Sequence, residues 1–390
     1  MRKIPSFLVL ILLPVISTVF VQNIFAQNEL PVIKANSTHV DILENNKLLK
    51  NTSWNIEPEY ELDIYSTCAK KVTFRTDLEE MTFDIDPKVG EYNFIILLNG
   101  TDTARTQIKY YPSYLFKKSR LEILRGARKY NHSDNRFIPE FTYQSETNPN
   151  LQKIRQELKL DSIAGKGNEL SQIFNLLHWL HNLIRHNGSS DNPMSKNAID
   201  LIEVCKSENR GVNCRMLAMI LNECYLSMGI KSRYVTCMPK EAEFDDCHVI
   251  NMVFSKDLDK WIWIDPTFAA YVMDEKGNLL GIQEVRERLI KGQPLILNAD
   301  ANWNREKLQS KKYYLDHYMA KNLYRLECPL SSEYNSETWE AGKEISYVEL
   351  LPLDGEVQTP HKSESIREKT GVKFINYKTN NPDLFWTKPK

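Results

Sequence analysis

Three short stretches in the middle of the chain decide its fold: Gly211-Val212-Asn213-Cys214-Arg215-Met216-Leu217-Ala218, Cys247-His248-Val249-Ile250-Asn251-Met252-Val253-Phe254 and Lys260-Trp261-Ile262-Trp263-Ile264-Asp265-Pro266. In the first, apolar residues at helical spacing predict a helix that follows Gly211 and is capped by Gly229. The other two are rich in apolar and β-branched residues and predict strands, preceded by a further strand over Ser232–Cys237. The unit is therefore a helix followed by three strands.

Cys214 lies at the N-terminus of the predicted helix, directly after the potential capping residue Asn213. The unpaired backbone N–H groups and the helix dipole at that position favour a thiolate over a thiol. Cys214 is therefore the cysteine best placed to act as a nucleophile. The structural alternative is a small buried apolar side chain, which describes most free cysteines.

His248 and Asp265 lie at the ends of the two following strands. In an antiparallel hairpin the numbers of two paired residues always add up to the same sum. If that sum is odd, the side chains of His248 and Asp265 lie on one face of the sheet. A turn over residues 255–258 would place the two residues directly opposite each other. A carboxylate beside an imidazole fixes its tautomer and stabilises the imidazolium. A strand-end histidine and an aspartate before proline are each ordinary alone. Together with Cys214 they predict a triad for acyl transfer through a thioester.

These motifs resemble the core of the transglutaminase-like superfamily, which is related to papain-like cysteine proteases, over roughly residues 173–268. The resemblance implies an α+β fold class with a papain-like core, and an exported bacterial member. It also implies that Cys214 is the nucleophile, His248 the base and Asp265 the orienting acid. Many members have an aromatic residue after the histidine, whereas this chain has Val249, which leaves the shape of the acyl pocket open.

The groups that would stabilise an oxyanion or contact substrate are less defined. The backbone N–H of Cys214 is one candidate donor. Trp179 is another by analogy with a tryptophan of animal transglutaminases, although its place on an amphipathic helix also fits a packing role. Trp263 shares its strand face with Asp265 and is predicted to wall the site, and core packing explains it equally well.

The N-terminus has the pattern of a secretory signal peptide over residues 1–26. Arg2 and Lys3 precede a nearly continuous apolar run, and Ala26 offers a small residue at the cleavage position. A retained membrane anchor is the competing interpretation. We expect an exported protein that is periplasmic, on the cell surface or secreted, and that meets the membrane only through export or an uncleaved signal segment.

The 390 residues predict two or three domains at ~100–200 residues each. Short alternating runs over residues 32–110, with a hairpin signal at Asn99-Gly100, predict a small β-sandwich. Residues 111–168 are predicted to be a linker with a helical patch, residues 169–275 the transglutaminase-like domain beginning with an amphipathic helix over about 170–186, and residues 276–390 a mixed C-terminal extension.

Charge and cysteine usage limit the partners and cofactors. A formal net charge of −1 gives no basic field for nucleic acid. The seven cysteines include no C-x-x-C pair, so a zinc ribbon is disfavoured, whereas a disulfide between Cys237 and Cys247 is compatible with export. His178, His181 and His186 lack an acidic partner at a known zinc spacing, so we expect no metal and no cofactor.

The sequence therefore predicts an exported cysteine-dependent amide hydrolase or acyltransferase. Its substrate would be a peptide, a protein, a glycopeptide or a peptidoglycan stem. Hydrolysis is favoured over cross-linking, because water is the default acceptor of a thioester and no amine site is evident. The alternative is a non-catalytic surface module, used for binding or assembly, that retains the fold.

Overall fold

The computed structural model describes residues 30–56, 58, 62–111, 119–240, 247–355 and 358–390. The signal peptide predicted over residues 1–26 lies outside these residues. Within the described part of the chain, no helix is both long enough and apolar enough to cross a membrane.

The N-terminal part is a β-sandwich, as the sequence predicted. Its strands β1 to β8 are Val32–Ala35, His39–Glu44, Lys47–Asn55, Asp63–Thr67, Lys71–Arg75, Glu80–Asp84, Glu91–Leu98 and Asp102–Tyr110. They form two four-stranded sheets in the orders β1-β7-β8-β4 and β3-β2-β5-β6. Phe74 of one sheet and Phe94 of the other pack with ring centroids 4.8 Å apart, which joins the sheets through a buried aromatic core.

A mainly helical part of the chain follows the sandwich. Its elements are helix α1 (Arg120–Arg125), strand β9 (Thr142–Tyr143) and helices α2 (Pro149–Glu157), α3 (Leu160–Ala164), α4 (Glu169–Leu183), α5 (Ala198–Ser207) and α6 (Cys214–Ser227). Helix α4 ends three residues earlier than its periodicity predicted. Leu151 and Ile154 of α2 are fully buried in the same core as α4 and α6. This part of the predicted linker therefore belongs to the helical core.

A large sheet packs against the helices. Strands β10 (Ser232–Met238), β11 (His248–Ser255) and β12 (Lys260–Ile264) are antiparallel neighbours. Ser255 pairs with Lys260, so the turn spans residues 256–259, one residue later than the turn that would oppose the histidine and the aspartate directly. Asp265 consequently lies two positions from the residue opposite His248, which keeps both side chains on one face of the sheet.

The C-terminal extension completes this sheet. Its elements are β13 (Val272–Met273), α7 (Ile282–Lys291), β14 (Ile296–Leu297), β15 (Asn302–Trp303), β16 (Lys307–Leu308), α8 (Lys311–Tyr313), a π-helical turn (Tyr314–Met319), α9 (Ala320–Asn322), β17 (Arg325–Pro329), β18 (Ser331–Ser332), β19 (Glu344–Leu350), β20 (Lys362–Ile366), β21 (Lys373–Thr379) and α10 (Pro382–Phe385). The strand order is β12-β11-β10-β17-β19-β21-β20. The predicted boundary at residue 275 thus divides one continuous sheet.

The continuity of the sheet makes a prediction about truncation. A chain covering residues 27–275 lacks Tyr314, Leu326 and Val348, which are fully buried in the core shared with β10 to β12. We expect it to aggregate or to lack cooperative thermal unfolding, because strand β10 would become an exposed apolar edge. Size-exclusion chromatography and calorimetry beside residues 27–390 provide the measurement. A monomeric fragment with a sharp unfolding transition would contradict this account.

Candidate active site

Cys214 is the first residue of α6, and Asn213 caps the helix. The Asn213 side-chain oxygen accepts a hydrogen bond from the Met216 backbone N–H at 3.1 Å, and its amide donates to the Asn192 side chain at 2.8 Å. The Cys214 side chain is half-buried, so it is accessible to a substrate. The cap fixes the start of the helix at Cys214, and the unpaired N–H groups and the helix dipole create a positive local field that stabilises a thiolate there.

His248 and Asp265 form a buried pair at the end of strands β11 and β12. Nε2 of His248 lies 2.8 Å from Oδ2 of Asp265, and the two residues are 1% and 0% exposed. Because Nε2 is used by the carboxylate, Nδ1 is the nitrogen left for another partner. Nδ1 is buried and has no hydrogen-bond partner within the described residues.

Two further hydrogen bonds hold the Asp265 carboxylate in place. Its Oδ1 accepts the Thr267 backbone N–H at 2.9 Å, and its Oδ2 accepts the Tyr314 hydroxyl at 2.6 Å. The Asp265 backbone pairs with Ala270. A buried carboxylate is tolerated only when its oxygens are satisfied, so these contacts orient it towards the imidazole.

Tyr314 links the carboxylate to Trp263. The indole N–H of Trp263 donates to the Tyr314 hydroxyl at 3.1 Å, and Trp263 is 1% exposed. The structure therefore places Trp263 behind the aspartate, with its N–H already donated. The imidazole of His248 also lies 5.1 Å from the ring of Tyr318, in the same π-helical turn, and 5.6 Å from that of Phe268.

The electrostatics of the site favour transfer of the thiol proton to the imidazole. Burial raises the pKa of Cys214, but interactions with the side chains and charges of His186 and His248 lower this pKa from 9.0 to about 6. Burial lowers the pKa of His248, but the charge and hydrogen bond of Asp265, with a smaller effect of Cys214, raise this pKa to about 10. At neutral pH the favoured state is a thiolate beside an imidazolium, which can attack a carbonyl carbon and then protonate a leaving group.

The three histidines near the end of α4 have separate surroundings. His178 is half-buried, with Nε2 3.7 Å from Asp300. His181 is buried, with Nδ1 3.0 Å from the Pro266 carbonyl and Nε2 2.9 Å from the Asn302 side chain. The side chain of His186 interacts with the Cys214 thiol and lowers its pKa. The spacing of the three residues could not single out His186, because its contact arises from chain segments that pair only in the folded state.

Gly211 makes that pairing possible. His186 forms a parallel bridge with Val212, two residues before Cys214. A Cβ atom on residue 211 would lie 2.4 Å from the Arg185 carbonyl oxygen, a contact that no side chain tolerates. Gly211 therefore allows the segment that contains His186 to approach the start of α6.

Two other predictions concern residues around the site. Trp179 is half-buried on α4 and packs against the same helical core as Cys214, and its role as an oxyanion donor stays a prediction. Cys237 is a free, buried thiol, so the bridge to Cys247 that export would permit is not formed in this structure. No group of three or more His, Cys, Asp or Glu side chains with metal-binding geometry is found in the described ranges.

Comparison with known proteins identifies the domain. Residues 156–266 match the family model of the transglutaminase-like superfamily, which confirms the family predicted from the motifs for this part of the chain. The chain therefore contains a transglutaminase-like domain, and the mixed α and β topology agrees with the predicted papain-like core. No curated protein matches the sequence significantly.

Two solved structures are similar to parts of the chain. A proposed cysteine protease from Cytophaga hutchinsonii is 20% identical over 33% of this chain and 40% of its own, with a TM-score of 0.25. The transglutaminase of red sea bream is 13% identical over 50% of this chain and 37% of its own, with a TM-score of 0.24. The chain thus spans less than half the length of either protein, and the domain assignment rests on the family match.

The lowered thiol pKa predicts the pH dependence of alkylation at Cys214. Only the thiolate reacts with iodoacetamide, so the rate should rise with a midpoint near pH 6 and reach a plateau by about pH 7. Peptide mass spectrometry after timed quenching measures the rate at this residue. Cys68, whose pKa is raised by burial and by Glu44, serves as the internal control and should react only at alkaline pH. A midpoint near pH 9 at Cys214 would contradict the proposed ionisation.

The Tyr314 hydroxyl predicts a stability difference between neighbouring tyrosines. Tyr314→Phe removes the donor to Asp265 and leaves the Trp263 N–H without its acceptor, which should lower the free energy of unfolding by about 1–3 kcal/mol. Tyr313→Phe changes an exposed side chain and should cost less than about 0.5 kcal/mol. Urea unfolding monitored by fluorescence compares the two variants. Equal changes would show that the buried hydroxyl contributes nothing specific.

Proposed function

We propose that this protein is a cysteine-dependent acyl-transfer enzyme that cleaves amide bonds through a thioester on Cys214. The observation that carries the proposal is a half-buried thiol at a helix N-terminus that interacts with an imidazole, which is itself hydrogen-bonded to a buried carboxylate. This arrangement lies inside a segment that matches the transglutaminase-like superfamily. We assign Cys214 as the nucleophile, His248 as the acid and base, and Asp265 as the residue that orients the imidazole.

The first half-reaction forms the thioester. The Cys214 thiolate attacks the carbonyl carbon, and the electron pair of the C=O bond moves onto oxygen. The backbone N–H of Cys214, at the helix N-terminus, is positioned to donate to that oxyanion. His248 then gives its Nδ1 proton to the amide nitrogen, the C–N bond breaks and an amine leaves. The imidazole ends neutral and Asp265 keeps its tautomer fixed.

The second half-reaction removes the acyl group from sulfur. A water molecule, or an amine in the transfer reaction, gives a proton to Nδ1 of His248 as it attacks the thioester carbon. Collapse of the tetrahedral intermediate expels the Cys214 thiolate and regenerates the imidazolium–thiolate pair. We propose hydrolysis as the main outcome, because any accessible thioester is open to water.

The proposed substrates are amides of peptides, proteins, glycopeptides or peptidoglycan stems outside the cytoplasm. Export is supported by the signal-peptide pattern over residues 1–26. The opposing proposal, a binding module without turnover, requires a thiol that does not become acylated. Acylation of Cys214 therefore separates the two proposals.

An activated ester tests the proposed function without knowledge of the natural substrate. p-Nitrophenyl acetate should acetylate Cys214, release p-nitrophenolate, and turn over as the thioester is hydrolysed. We expect Cys214→Ala to lower the rate by about 10³-fold or more, with Cys68→Ala, in the β-sandwich, close to the unaltered chain.

Intact-mass and peptide-mass spectrometry locate the acetyl group, and hydroxylamine distinguishes hydrolysis from transfer by trapping acetylhydroxamate. Labelling that persists in Cys214→Ala, or that maps to another cysteine, would contradict the assignment of the nucleophile. A chain that is neither acetylated nor alkylated at Cys214 would support the binding module instead.

A further inference from the structure

The backbone of His186 is fixed at a defined position beside the cysteine motif. The Asn187 backbone N–H donates to the Val212 carbonyl at 2.9 Å, and the Val212 N–H donates to the Arg185 carbonyl at 3.2 Å. The Asn304 side chain accepts the His186 N–H at 2.7 Å and donates to the His186 carbonyl at 3.0 Å. These contacts hold the backbone of His186 from two sides. On one side lies the segment that leads into Cys214, and on the other lies the C-terminal extension.

The tautomer of His186 is fixed by Trp303 of strand β15. The indole N–H of Trp303 lies 3.2 Å from Nδ1 of His186. An indole nitrogen can only donate, so Nδ1 must be the accepting nitrogen and the ring proton lies on Nε2. Nε2–H is therefore the group that His186 has left for the Cys214 sulfur, whose helix begins two residues after the backbone bridge between His186 and Val212 and whose pKa this side chain lowers.

The accessibility of this group differs from that of the other aromatic N–H candidates. His186 and Cys214 are both half-buried, and Trp303 is 36% exposed, so a substrate carbonyl can reach the space beside them. Trp263 is buried and its N–H is donated to Tyr314. A donor beside the attacking sulfur is close to where the carbonyl oxygen of a bound acyl group becomes negative.

We propose that His186 is a further catalytic residue, whose Nε2–H donates a hydrogen bond to the oxyanion of the intermediate on Cys214, and that Trp303 is its positioning residue. This inference rests on the proposed function and adds a second donor to the Cys214 backbone N–H. As sulfur attacks, negative charge moves from sulfur to the carbonyl oxygen, and the Nε2–H hydrogen bond follows it. No proton leaves His186, because protonation of the departing amine belongs to His248.

Two reactions of the Cys214 sulfur distinguish a role of His186 at the oxyanion from an effect on the thiol itself. Acetylation by p-nitrophenyl acetate passes through an oxyanion, whereas alkylation by iodoacetamide displaces iodide and forms none. Both rate constants are measured at Cys214 in the full chain, at a pH above the alkylation midpoint of each variant. Under these conditions the thiolate is fully formed, so the ratio of the two rates reports on the oxyanion alone.

We expect His186→Phe to lower the acetylation rate about 10²–10³-fold and the alkylation rate less than about threefold. His186→Gln retains an N–H donor and should recover about tenfold or more of the lost acetylation rate. Trp303→Phe keeps the ring but removes the N–H that selects the tautomer, and should lower acetylation about tenfold. His178→Ala, on α4 and paired with Asp300, is the matched control and should leave both rates unchanged. Circular dichroism confirms that each variant is folded.

Three outcomes would overturn the inference. Equal losses in acetylation and alkylation would mean that His186 acts only on the thiol or on the local structure. Unchanged acetylation in folded His186→Phe would exclude it as a donor. A wild-type chain that is alkylated at Cys214 but never acetylated would overturn the proposed function itself. This third outcome differs from the other two because it is seen in the chain without any substitution.

Discussion

The hydrogen bond between His248 and Asp265 is the interaction on which the rest of the site depends. Both groups are buried, and a buried carboxylate is stable only with several partners. Tyr314 and the Thr267 backbone supply those partners. The aspartate in turn raises the pKa of His248, which keeps the imidazole protonated. Without this pair only the helix dipole and His186 would oppose the burial that raises the pKa of the Cys214 thiol.

Much of the surrounding structure comes from the C-terminal extension. The π-helical turn provides Tyr314 and Tyr318, and the β15–β16 hairpin provides Trp303 and Asn304 on the other histidine. Strands β17 to β21 continue the sheet that holds β11 and β12 in register. The extension is therefore a structural part of the domain that contains the cysteine, and π-helical segments of this kind are often found at functional sites.

Local patterns were sufficient to predict the helix start at Cys214, its Asn213 cap, the strand that begins at His248 and the strand that ends just before Asp265, because each depends on neighbouring residues. His248 and Asp265 lie on the predicted shared face of the sheet although the turn is one residue later than predicted. The later turn moves the pairing partner of each residue by two positions, and a shift of two positions keeps a side chain on the same face. Contacts across more than a hundred residues, such as Trp303 with His186, leave no local signal. For the same reason the sheet that crosses residue 275 could not be predicted.

The central claim is that at neutral pH the proton shared by Cys214 and His248 lies on the imidazole. Nitrogen-15 NMR of histidine-labelled protein measures this directly, with the His248 signals assigned by comparison with His248→Gln. The account predicts that both ring nitrogens of His248 carry protons at pH 7.5 and that deprotonation occurs only at strongly alkaline pH. A ring with one unprotonated nitrogen at pH 7.5 would mean that sulfur retains its proton, and the thiolate mechanism would be contradicted.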